Sequence, residues 1–102
     1  MKVVAKANIG DRVGAVCEAD DETVYFFGYG TYNGEQVIDQ SLGVRFLGMT
    51  PPEGHENHEI ILDNGDKIYG CECWWMSEER MKSFIGDRKV VHEDIKLVRA
   101  KK

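Results

Sequence analysis

The chain has 102 residues, 42% hydrophobic and 30% charged, which is enough for one core burying about two thirds of the extended chain's surface and excludes the low-hydrophobicity signature of disorder. Thirteen Lys and Arg against 18 Asp and Glu leave a net charge of −5, which argues against long nucleic acid or an anionic membrane as partner. Three cysteines cannot all pair within one molecule, and no apolar leader or span-length run is seen, so the expectation is a single domain over 1–102 in a reducing cytoplasm.

In chain order, Gly10-Asp11 reads as a turn admitting a strand over 12–18, and Asp20, Asp21 and Glu22 as an acidic connection. Residues 23–32 are dense in aromatic and β-branched side chains and read as a long central strand. Asn33-Gly34 tolerates the positive φ angles of a type I′ turn and predicts a hairpin there. Residues 44–47 read as a short strand, and 49–58, with Pro51 and Pro52, as an exposed loop. Asn64-Gly65 predicts a second hairpin between 59–63 and 66–75. Ser77 as N-cap, Glu78 and Glu79 in the first turn, and the stripe of Met81, Phe84 and Ile85 predict a helix over 78–85 that Gly86 ends. Residues 88–92 and 95–99 read as closing strands. The expected fold is mainly β: a small, strongly bent antiparallel sheet or SH3-like partial barrel with one short helix in the C-terminal half.

Eight of the ten aromatics fall in the two long predicted strands. Period-two alternation places Tyr25, Phe27 and Tyr29 on one face and Val24, Phe26, Gly28 and Gly30 on the other. Both faces are apolar, so a second layer, a ligand or another copy of the chain must cover one of them, and a homo-oligomer is expected. Most such rings fill cores. The functional alternative is a platform: a flat ligand stacks on Trp74 and the strand aromatics Tyr25, Phe27 and Tyr29, Glu72 accepts hydrogen bonds from its amino groups, and Arg12, Arg45 and Arg88 converge on any phosphate.

Cys71-x-Cys73 and His55-x-x-His58 offer four metal donors, but one intervening residue on a strand is unlike the spacing of zinc knuckles, so reduced thiols and no metal are expected. No glycine-rich phosphate loop, His-Glu-x-x-His or nucleophile elbow is present, and no enzymatic activity or cofactor is expected.

The segment Thr-Val-Tyr-Phe-Phe-Gly-Tyr-Gly-Thr-Tyr at 23–32, followed by Leu-Asp-Asn-Gly-Asp-Lys-Ile-Tyr-Gly-Cys-Glu-Cys-Trp-Trp at 62–75, resembles small β-rich proteins carried by tailed phages and prophages. The resemblance implies an accessory factor in the host cytoplasm, of the kind that counters host defence by sequestering a signal nucleotide or inhibiting a host protein. It carries over no functional residue. Two readings follow: a non-enzymatic module capturing a small planar ligand, a nucleotide among them, or an acidic protein-interaction module acting on a host protein.

Overall fold

The aromatic run after Glu22 forms the longest element of the chain. The computed structural model describes residues 7–101, in which six strands make one sheet: β1 (Arg12–Ala19), β2 (Thr23–Val37), β3 (Glu56–Leu62), β4 (Lys67–Tyr69), β5 (Trp74–Ser77) and β6 (Lys89–His92). Two short helices, α1 (Glu78–Ile85) and α2 (Ile95–Ala100), follow β5 and β6. The strand order is β4-β3-β2-β1-β5, and β6 lies parallel to the first residues of β2.

This sheet is open. Its path ends at β4 and β5, so the strongly bent sheet or partial barrel expected from the sequence is not what forms. The predicted strand over 66–75 is interrupted at Gly70–Glu72, which turns as a 3-10 helix and delivers β5 to the edge of β1. The second correction lies at the C-terminus, where 95–99 is helical rather than extended. Asp94 caps α2 by accepting from the Lys96 amide at 2.8 Å, and Ile95 and Val98, one turn apart, pack on the core.

The two Asn-Gly pairs behave differently. Asn64-Gly65 makes the expected β3–β4 hairpin, with the Gly65 amide donating to the Leu62 carbonyl at 2.8 Å. Asn33-Gly34 does not reverse the chain: β2 runs on to Val37 and pairs with β3 on both sides of an irregularity between Tyr32 and Glu35. There the Asn33 side chain donates to Oε1 of the buried Glu59 at 2.8 Å, and the Tyr69 hydroxyl donates to Oε2 at 2.9 Å. The positive φ of Gly34 thus serves a bulge. Helix α1 forms over the predicted residues: the Ser77 hydroxyl accepts from the Arg80 amide, and Gly86 ends the helix.

A second bulge rearranges the aromatic strand. Ala15 opposes Gly28 but Val16 opposes Phe26, leaving Phe27 as the extra residue, and Gly28 holds φ +133°, a conformation open to glycine. Phe27 therefore joins a cluster with Val13, Ala15, Tyr32, Ile60 and Ile68. Val24 and Phe26 pack with Val16 and Met81 on the opposite face, with Tyr29 against them. The predicted shared face of Tyr25, Phe27 and Tyr29 is broken at that point.

The chain itself supplies the cover that two apolar faces demand. Helix α1 lies across one face so closely that a Cβ on Gly14 would meet Met81 Cγ at 2.7 Å, while α2 contributes Ile95 and Val98 to the other. Each buried side chain of this size is worth roughly 1.5–3 kcal/mol. A third cluster of Ile38, Val44 and Tyr69 fills the end of the sheet beneath a 3-10 turn at Gln40–Leu42. Among the described residues, no helix is long and apolar enough to cross a membrane.

Candidate functional site: an exposed apolar turn

After the 3-10 turn, whose capping Asp39 accepts from the Ser41 amide and hydroxyl, Val44 plunges into the third cluster and the chain then doubles back. Phe46 and Met49 exchange both backbone hydrogen bonds, at 2.8 and 3.0 Å. The two residues between them, Leu47 (φ +54°) and Gly48 (φ +79°), have the positive φ angles of a type I′ turn. Leu47 is the only described residue other than glycine with positive φ.

This turn is apolar and faces water. Leu47 is 86% exposed, Met49 67% and Phe46 51%. Left-handed backbone at a non-glycine residue costs roughly 1–2 kcal/mol, and here no burial of the leucine offsets it. On one side of Phe46 lies a cavity of about 160 Å³ lined chiefly by Ile38, Met49, Pro51, His55 and Cys71. On its other side is a wider, open groove bounded by Cys17, Glu18, Cys71, Cys73 and Trp74, and the Trp74 indole is 66% exposed. Phe46 is common to both.

Of the platform aromatics singled out in the sequence, Trp74 alone presents a ring mostly to solvent. Tyr25 is half-buried, Phe27 is buried, and Tyr29 is half-buried, edge-on to Phe26 at 4.9 Å. Glu72 is committed elsewhere: its carboxylate receives Arg99 Nε at 2.7 Å, a terminal Arg99 nitrogen at 2.8 Å and the Tyr69 amide at 3.0 Å. Both side chains of the pair are less than a tenth exposed, so the carboxylate does not read a ligand's amino groups.

Nor do the three arginines converge. Arg12 forks onto Asp63 with two 2.7 Å bonds, which raises the guanidinium pKa and lowers that of the carboxyl. Arg88 donates to the carbonyls of Phe84, Ile85 and Asp20 and stacks over the Phe84 ring at 4.6 Å, tying the end of α1 to the β1–β2 turn. Arg45 stands half-buried one residue before the apolar turn.

The aromatic stack that does form is internal. Tyr32 lies parallel to Trp75 with centroids 5.2 Å apart, and its hydroxyl is hydrogen-bonded to His58 Nδ1 at 2.7 Å. Burial raises the Tyr32 pKa, followed by the charge of Glu35. Tyr69 goes further, pushed up to about 12, chiefly by burial. Among the described residues, no group of three or more His, Cys, Asp or Glu is placed to hold a metal ion, and none of the three cysteines is in a disulfide.

Phe46, Leu47 and Met49 were not among the predicted site residues. Their signal was present: Phe-Leu-Gly-Met puts three large apolar residues around one glycine, directly before a segment that otherwise reads as a solvated loop.

No family model, curated protein or solved structure matches the chain. The phage resemblance therefore stands without support, and the expectations of nucleotide binding, anti-defence and inhibition that accompanied it are withdrawn with it.

Proposed function

We propose that this protein is a binding module that docks an apolar segment of a partner protein on the Phe46–Met49 turn and the cavity beside it. The observation that carries this reading is Leu47, an almost fully exposed large apolar residue held in a left-handed conformation. Strain concentrates where function requires it, and an exposed apolar cluster marks an interaction surface.

The narrow cavity beside Phe46 favours an inserted side chain over a whole small molecule. The cavity of about 160 Å³ falls below the roughly 300–1,000 Å³ of sites that enclose a whole ligand, and suits one inserted side chain. Phe46 and Met49 line it, Leu47 stands exposed between them at the tip of the turn, and Trp74 extends the apolar surface beyond Phe46.

The test is a displayed peptide library selected against the wild-type protein and re-tested against L47D/M49D. Both positions are exposed, so the variant keeps its fold, which its melting curve checks. The expected result is a family of binders with apolar anchors whose affinity falls at least about tenfold on the variant, or about 1.4 kcal/mol. Selected peptides that bind both proteins equally would overturn the proposal.

A further inference from the structure

We infer that Cys17 and Cys73 form a redox-modification site, closing to a disulfide between β1 and β5 when the protein meets a peroxide. Strands β1 and β5 pair antiparallel through Val13–Ser77, Gly14–Met76, Ala15–Trp75 and Val16–Trp74. One further step of that register brings Cys17 opposite Cys73. Directly opposed residues of an antiparallel pair have Cβ atoms about 4.5–5.5 Å apart, and a disulfide needs about 3.5–4.5 Å, so a small closing movement suffices.

The two thiols also belong together by packing. All three cysteines bound the groove beside Trp74, but Cys17 and Cys73 lie against the main core cluster, whereas Cys71 packs on the third cluster with Ile38, Val44 and Tyr69. Both residues sit at breaks in regular pairing. Cys17 is the extra residue of a bulge in β1 against β2, and Cys73 ends the 3-10 turn, one residue before β5 begins.

The chemistry assigns an order. Cys17, partly exposed at the groove as Cys73 is, is assigned the first step: its thiolate attacks one peroxide oxygen, the O–O bond breaks, and the departing hydroxide takes up the proton that Cys17 released. Cys73, whose thiol is pushed up by burial and then by Glu72, Cys71 and Cys17, and which donates to the Tyr69 carbonyl at 3.5 Å, then attacks the sulfenic sulfur. The S–O bond breaks and hydroxide leaves as water with the Cys73 proton. Two thiols lose two electrons and two hydrogens, and one peroxide becomes two waters.

The experiment treats the folded wild-type protein with hydrogen peroxide, blocks the remaining thiols with N-ethylmaleimide in denaturant, and maps the peptides without reduction. The expected result is a monomer lighter by two hydrogens, with one maleimide at Cys71 and a Cys17–Cys73 linked peptide. Its melting midpoint is raised and dithiothreitol returns it to the starting value. C71S retains the linkage and C17A loses it. Three maleimides after oxidation, any linkage through Cys71, a sulfinic acid at Cys17 without linkage, or only intermolecular dimers would each overturn the inference, and the wild-type measurement decides this even if a variant folds poorly.

Discussion

Leu47 sits where asparagine or glycine would be at ease. Because an L-side chain in the left-handed region costs roughly 1–2 kcal/mol and asparagine tolerates it better, Leu47→Asn is expected to stabilise the fold by up to about 1 kcal/mol while weakening partner binding. In a domain of this length 1 kcal/mol moves the midpoint by about 4–8 °C, which a thermal melt resolves. A variant that melts earlier would show that the leucine is held for packing. The contrast with Arg12 is instructive: its fork onto Asp63 has good geometry, yet both partners are well exposed, and surface pairs contribute little. Tyr69 is different again. Its hydroxyl accepts from the Asp39 amide at 3.2 Å and donates to Glu59 inside the protein. Folding favours its neutral form, so the associated stability is fully present below the ordinary pKa of 10.0 and is lost as pH rises through about 12. The melting midpoint should fall across that window, and Tyr69→Phe should flatten the fall; an unchanged slope in Tyr69→Phe would assign the alkaline loss to other groups.

At the scale of elements, α2 has six residues, too few to hold a helix by propensity. Docking holds it. Ile95 is fully buried, and Arg99 reaches back to Glu72 and to the Lys67 carbonyl at 2.7 Å. Arg99→Met leaves the Glu72 carboxylate buried without its cation and should cost about 3–5 kcal/mol, whereas the double variant R99M/E72M should recover most of the loss. Equal destabilisation in both, read by denaturant unfolding, would show that the pair contributes through packing alone. Local signals predicted α1 because its determinants, the Ser77 cap and the Met81, Phe84, Ile85 stripe, lie within the segment itself. They failed for α2 because Ile-Lys-Leu-Val-Arg reads equally as an extended β-branched run. What holds it lies largely outside the segment: the core that receives Ile95 and Val98 and a salt bridge to a residue 27 positions away.

For the whole molecule, the same division explains what was legible. Strand content, the Asn64-Gly65 hairpin and the apolar character of both faces of β2 follow from composition and alternation. The facing of Phe27 and Tyr29 does not, because a bulge at Gly28 shifts the period by one residue, and a glycine in a strand does not announce whether it will bulge. The partial-barrel expectation failed for a related reason. It rested on the number of strands and the tight turns, which do not say whether a sheet closes, and the path of this one ends at β4 and β5. In the turn at Gly70–Glu72, Glu72 meets Arg99 rather than solvent, a partner that lies outside any local pattern.

One feature of the sheet bears on the order in which the chain assembles. The edge of β2 away from β1 is divided: β3 holds Gly30 to Val37, and β6 holds Thr23 to Phe26. Strand β6 is made late in synthesis, and its contacts with β2 span most of the chain, the kind of long-range pairing that forms slowly. During translation the first four residues of β2 present an open edge until residues 89–92 have left the ribosome. An emerging chain can join β1, β2 and β3 while still lacking this last strand, and throughout that interval it offers neighbouring polypeptides a four-residue template.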